Sequence, residues 1–175
     1  KNHILVTDAG SNYYVGGQAW RFEKGQKEIA STTNAAMGLS VPLSIGAAVA
    51  SKKQILSVTG DGSIELNIQE LKTISHNKFN IKLFVINNGG YVSMHNWADS
   101  FFKGRRLDTA KDTGDGTLNF KNIAKAFDLN HYLIRDVNRI EKDLKKILND
   151  KKPLFIEVIT DPHQKIIDAF KDYWF

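Results

Sequence analysis

The chain has 175 residues, 42% of them hydrophobic and 25% charged, with no cysteine and a formal net charge of +5. That length makes residues 1–175 one ordinary domain with room for a sizeable core, and the apolar content excludes a disordered chain. No apolar run approaches the roughly 20 residues of a membrane span, and the absence of cysteine excludes disulfides and thiolate metal sites.

Lys1-Asn2-His3-Ile4 lacks an apolar signal core, so a cytoplasmic protein is the expectation. The basic residues are scattered apart from Lys103-Gly104-Arg105-Arg106 and Lys145-Lys146. Neither nucleic acid nor a membrane is therefore expected as a partner.

Ile4-Leu5-Val6-Thr7 reads as a short buried strand, and Asp8-Ala9-Gly10-Ser11-Asn12 as a turn. Tyr13 to Phe22 reads as a helix weakened by Gly16 and Gly17. Glu23 to Gln26 is a turn, Glu28 to Ser31 a short extended piece, and Thr32 to Met37 a loop. Gly38 to Ala50 is a helix with Pro42 near its start. Its small residues would let another backbone or a ligand come close. Gln54 to Thr59 is a strand and Ile64 to Ser75 a helix, with Ile68, Leu71 and Ile74 at helical spacing.

Ile81 to Ile86 is a strand, apolar except for Lys82, as expected when both faces are covered. Val92 to Phe102 is helical, Leu107 to Thr117 a mobile polar loop, and Asn119 to Phe127 an amphipathic helix. His131 to Ile134 is a strand, Val137 to Leu148 a helix, and Pro153 to Thr160 the last strand. Ile166 to Phe175 is a terminal helix or arm. This alternation predicts a three-layer α/β/α fold, with a mainly parallel sheet of about five to six strands and right-handed crossovers.

In such sheets ligands bind at the carboxyl ends of the strands. Two polar clusters lie there, Gly60-Asp61-Gly62-Ser63 and Asn87-Asn88. The glycines permit positive φ and a close approach of the backbone to an anion. The helix that follows offers unpaired N–H groups suited to phosphate. Asp61 would repel a bare phosphate, and a divalent cation between the two removes the conflict. Magnesium favours hard oxygen ligands of the kind that Asp61 and the Asn88 side chain supply. The pattern is neither a dinucleotide fingerprint nor a P-loop, since Glu65 stands where a third glycine would be and no Gly-Lys-Ser/Thr is present. The five histidines form no cluster with metal-ligand spacing, and His95 lies closest to the site.

Gly60-Asp61-Gly62-Ser63 followed, 27 residues after Asp61, by Asn88 is similar to the signature of thiamine-diphosphate-dependent enzymes. The run Ala36-Met37-Gly38-Leu39-Ser40-Val41-Pro42-Leu43-Ser44-Ile45-Gly46-Ala47 resembles a segment of the acetolactate-synthase-like members. Asn119 to Phe127 and Pro153 to Val158 resemble a later helix and the final strand of the same family. The likeness covers residues 4 to 162, the diphosphate-binding domain. It implies thiamine diphosphate and Mg2+ as cofactors.

Magnesium would be held by Asp61, the Asn88 side chain and the Gly90 carbonyl. Gly62 and Ser63 N–H groups would contact the diphosphate, with Gly60 and Tyr91 counted among the cofactor-binding residues. Met37 would prop the cofactor in its bent form, and the Ala35 carbonyl and Met37 N–H would meet the aminopyrimidine. Met94 and Trp97, three apart on one helix face, would face the substrate.

The implied activity is decarboxylation of a 2-oxo acid, ligation of the product to a second carbonyl, or both, by a lyase or transferase. A subunit of a two-subunit 2-oxo acid decarboxylase and a non-catalytic diphosphate-binding module are the alternatives. The glutamate that activates the aminopyrimidine belongs to a separate pyrimidine-binding domain of the same enzyme or a partner subunit, which no part of this chain resembles. Glu65 and Glu70 are read as structural. The chain is then a fragment or subunit of a larger enzyme, inactive alone and expected to form a homo-oligomer. Gly46 to Ala50 and Tyr13 to Trp20 are the expected interface.

Overall fold

The computed structural model describes residues 3–109, 111–114, 116 and 118–163. Six strands form one sheet: β1 (Ile4–Thr7), β2 (Lys27–Ile29), β3 (Ile55–Gly60), β4 (Ile81–Asn87), β5 (Asn130–Ile134) and β6 (Leu154–Ile159). Their order is β2-β1-β3-β4-β6-β5, and every pairing is parallel. The expected α/β/α architecture is therefore the observed one. From β1 the chain passes outward to β2, then returns past β1 to build β3 and the rest. This reversal makes a crevice beyond the carboxyl ends of β1 and β3.

The apolar strands follow from burial on both faces. On one face Leu83, Val85 and Phe155 pack with residues of the helices α2 (Ser40–Ser51), α4 (Leu71–Asn77) and α6 (Phe120–Ala126). On the other, Ile156, Leu154 and Ile134 pack on Ile147 of α7 (Ile140–Asn149). Burying a side chain such as these stabilises the fold by about 1.5–3 kcal/mol. Lys82, the one charged residue in β4, is fully buried at the end of the sheet opposite the crevice. Its ammonium donates to Asn80 Oδ1 at 2.9 Å and to the Lys152 carbonyl. Desolvation lowers its pKa to about 8, against a smaller upward pull from Asp150.

Helix α1 runs from Ser11 to Ala19, ending before the expected Phe22. Beyond it, Trp20 is extended and its ring packs against Phe22. The single helix expected over Ile64 to Ser75 is divided. It begins as α3 (Asp61–Ile64), tightens into a 3-10 stretch over Glu65–Glu70, and resumes as α4. The break centres on Asn67, at φ −139° and ψ 33°. Its side chain instead donates to the Gly38 carbonyl at 2.9 Å.

Helix α5 spans Val92–Phe101. The described part of the polar loop after it is held to the start of α5. The Thr109 carbonyl accepts from Tyr91 N at 2.8 Å and lies 2.8 Å from His95 Nε2. In α2, a Cβ added at Gly46 would meet nothing within 4 Å, so no described residue from outside the helix approaches there. Val49 in α2 and Tyr14 and Val15 in α1 are exposed. The terminal helix or arm expected over Ile166 to Phe175 lies outside the described residues. Among the described residues no helix is long and apolar enough to cross a membrane.

Candidate functional site

The crevice is a cleft of about 230 Å³, open to solvent. Its walls bring together segments far apart in sequence: Ala9 to Asn12, Ala35 and Met37, Gly60 to Ser63, and Asn88 with Gly90 to Met94. Every site residue expected from the sequence lines it except Trp97. Trp97, one turn farther along α5 than Met94, is exposed, with its ring 4.9 Å from that of Phe101.

Asp61 is the first residue of α3, directly after β3. It is buried, and its carboxylate collects backbone donors. Oδ1 accepts from Gly62 N at 3.0 Å, and Oδ2 accepts from Gly89 N at 2.8 Å and Gly90 N at 2.9 Å. Burial raises its pKa above the ordinary carboxylate value, and the N–H groups of Gly90, Gly62, Gly89 and Asn88 oppose that rise. A buried carboxylate whose hydrogen bonds do not offset its desolvation is suited to a cation.

Asn88 lies just past the end of β4, and its Oδ1 is buried without a hydrogen-bond partner. An orphaned buried acceptor costs about 1–3 kcal/mol. A divalent cation beside Asp61 would satisfy it, so the residues present fit magnesium. The Gly90 carbonyl accepts from Val92 N at 3.0 Å and keeps a second lone pair for a ligand. Among the described residues, no group of three or more His, Asp or Glu side chains could hold a metal. A cation beside Asp61 would therefore be held by one carboxylate supplemented by amide and carbonyl oxygens.

The glycines of the turn do not work as expected. Gly60 sits at φ −85°, and Gly62 is not among the residues with positive φ. Gly62 is required for space, because a Cβ there would lie 2.4 Å from Tyr91 Cε1. The positive φ values fall instead at Gly89 (80°), Gly90 (133°) and Gly38 (76°), and at Ala35 (42°), where a side chain makes the conformation strained. Met37 is 36% exposed, so its side chain is available to a ligand in the cleft.

The sequence reading missed Asp8, treated as part of a turn. Asp8 is fully buried at the end of β1. It accepts from Ala9 N (2.7 Å), Asn12 Nδ2 (3.0 Å), Thr59 Oγ1 (2.9 Å) and Ser63 Oγ (2.7 Å). Ser63 Oγ in turn accepts from Gly38 N at 2.8 Å. One carboxylate thereby ties the ends of β1 and β3 to the Met37 loop. The available signal was an acidic residue immediately after a buried strand beside the switch point. His95 is buried, and its Nε2 lies 2.8 Å from the Thr109 carbonyl.

The sequence profile of the family described as "Thiamine pyrophosphate enzyme, C-terminal TPP binding domain" matches residues 8–158. The chain belongs to that family. Thiamine diphosphate is the cofactor such a domain binds.

Among curated relatives, the Escherichia coli K12 protein "Acetolactate synthase isozyme 1 large subunit" is 30% identical over 166 residues, covering 94% of this chain and 29% of that protein. The Lactococcus lactis "Acetolactate synthase large subunit" is 28% identical over 165 residues, covering 94% of this chain and 28% of that protein. "Acetolactate synthase 1, chloroplastic" of Zea mays is 28% identical over 181 residues, 97% of this chain and 28% of that protein. The domain thus spans less than a third of the length of these relatives.

Proposed function

We propose that this domain holds magnesium and the diphosphate of thiamine diphosphate in an acetolactate-synthase-like enzyme acting on 2-oxo acids. The observation that carries the reading is the meeting, in one cleft, of the buried Asp61 carboxylate with the buried, partnerless Asn88 Oδ1. Asp61, Asn88 Oδ1 and the Gly90 carbonyl would hold the cation. The Gly62 and Ser63 N–H groups, in the first turn of α3, would hold the diphosphate. Gly62 N would leave the Asp61 carboxylate to do so, and Tyr91 would close over it.

Met37 would support the bent cofactor, and the Ala35 carbonyl and Met37 N–H would orient its aminopyrimidine. Met94 would face the substrate in the cleft, and Trp97, farther out on α5, would bound it from the mouth. When bound, the cofactor supplies the nucleophilic carbon and electron sink that decarboxylation of a 2-oxo acid needs. Protonation of the decarboxylated fragment would make the enzyme a lyase, and its joining to a second carbonyl would make it a transferase.

The domain's own contribution is binding, orientation and exclusion of water. The glutamate that activates the aminopyrimidine would come from a pyrimidine-binding domain, of the same polypeptide or a partner subunit, in a cytoplasmic homo-oligomer. Calorimetry tests the core of this reading. Thiamine diphosphate should bind at least about tenfold more tightly with Mg2+ than with a chelator, a difference of about 1.4 kcal/mol. Asp61→Ala should abolish that difference. Equal affinity with and without metal in the wild type refutes the site.

A further inference from the structure

Alternation along the strands places three polar side chains on the face that carries Val85 and Phe155. They are Asn87, the last residue of β4; Glu157 in β6; and His131 in β5. Asn87 Nδ2 donates to Glu157 Oε1 at 2.8 Å, and Glu157 Oε2 lies 2.8 Å from His131 Nε2. The Glu157 and His131 side chains are only 13% and 14% exposed. Phe155, their neighbour on the same face, stacks on His131 and on Phe120, limiting access of water to the pair. At the other end, Asn87 Oδ1 accepts from Gly89 N at 3.3 Å, the same N–H that Asp61 Oδ2 takes at 2.8 Å. A continuous line of hydrogen bonds therefore runs from the outer strand β5 to the proposed metal carboxylate.

We infer that Asn87, Glu157 and His131 are positioning residues that hold the Asn88–Gly90 turn against Asp61 and so set the affinity for the divalent cation. The inference rests on the magnesium reading above. The Asn87 amide could face either way on its own. A carboxylate accepts only, so Glu157 takes the Nδ2 side and leaves Oδ1 for Gly89. His131, with its hydrogen on Nε2, fills the second carboxylate oxygen and keeps Glu157 from turning away. When Asp61 gives its lone pairs to a cation, the Gly89 N–H retains Asn87 Oδ1 as acceptor. The turn that carries Asn88 and the Gly90 carbonyl is then held independently of the metal. Groups that orient metal ligands in this way are commonly worth 10–100-fold in metal affinity.

The test titrates Mg2+ into the full-length protein at a fixed concentration of thiamine diphosphate, with binding followed by calorimetry. Asn87→Ala and Glu157→Leu should each raise the half-saturating Mg2+ about tenfold or more. Glu157→Gln still accepts from Asn87 through Oε1 and should restore most of the loss. The double variant Asn87→Ala/Glu157→Leu should be no worse than the poorer single one, since both break one line. A purely structural role would lower the metal-free melting temperature and leave the half-saturating Mg2+ in place.

Half-saturation within about twofold of wild type in Asn87→Ala overturns the inference, and so does Glu157→Gln behaving like Glu157→Leu. If Glu157→Leu does not fold, Asn87→Ala and Glu157→Gln decide. A wild type whose cofactor binding ignores Mg2+ overturns the metal reading itself. Wild-type dependence with unaltered variants overturns only the positioning line.

Discussion

Gly38 joins the Met37 loop to Ser63 and Asn67, and replacing it with alanine tests whether that junction is as tight as the structure has it. Its φ is 76°, where a side chain costs about 1–2 kcal/mol. The added Cβ would lie 2.7 Å from Leu66 Cβ, 3.1 Å from Asn67 Nδ2 and 3.4 Å from the Ser63 carbonyl oxygen. Leu66 Cβ is fixed to its backbone and cannot swing clear, so overpacking adds about 1–3 kcal/mol. The two together make about 2–5 kcal/mol, a large fraction of the 5–15 kcal/mol that holds a typical domain.

Relief would require the loop to move, breaking the bonds from Gly38 N to Ser63 Oγ and from Asn67 Nδ2 to the Gly38 carbonyl. Met37 would move with it, so cofactor affinity should fall as well. Gly46→Ala is the matched control. It lies inside α2 with nothing within 4 Å of its added Cβ, and should stabilise by about 0.5–1 kcal/mol. Urea denaturation measures both, and calorimetry gives the cofactor affinity. If Gly38→Ala remains within about 0.5 kcal/mol of wild type, the size of a neutral surface change, and binds cofactor normally, the junction is looser than argued.

The folded-state pKa of Lys82, about 8, lies below its unfolded value of 10.5. Burial therefore favours the neutral amine, and the penalty for charging it is fully present below pH 8. As pH rises from 8 to 10.5 the unfolded state binds more protons, and stability should increase by about 1–3 kcal/mol. Urea midpoints across that range should show a rise that is absent in Lys82→Met, and parallel curves for the two proteins rule it out. The polar loop Leu107 to Thr117 is bonded at Thr109 to Tyr91 of the cleft wall, so a substrate analogue should slow hydrogen exchange there in the complete enzyme, and equal rates with and without it make the segment a plain connector. The isolated 175 residues should not decarboxylate pyruvate faster than free thiamine diphosphate does, and carbon dioxide release above that rate shows that no outside glutamate is needed.

The strands were legible because each is a short apolar run, and burial on both faces of a parallel sheet leaves little else that a strand can contain. The cleft was legible because two polar clusters directly follow two such runs. What escaped notice depends on contacts between distant segments. Ile68, Leu71 and Ile74 kept helical spacing across the stretch where Asn67 breaks the helix, and nothing local announces that its amide bonds to a carbonyl 29 residues earlier. The glycines of the turn permit positive φ without using it; sequence reveals conformational freedom but not neighbours. It is the ring of Tyr91, 29 residues on, that excludes a side chain at Gly62.

The two charged residues inside otherwise apolar strands, Lys82 in β4 and Glu157 in β6, are held at different places in the fold. Register separates them. Lys82 pairs with Leu154, the first residue of β6, so its ammonium lies at the amino ends of the strands, among the turns there. Glu157 pairs with Val85, two residues before β4 ends at Asn87, and so lies near the carboxyl ends. A parallel sheet gathers its ligands at that end. A buried charge far from it can do little except fasten turns together, while one close to it can act on the groups that meet the ligand. Asp8 obeys the same rule from β1, buried at the carboxyl end with four donors around it. In a sheet of this kind, the end of the strand at which a lone charged residue falls indicates whether it belongs to the scaffold or to the site.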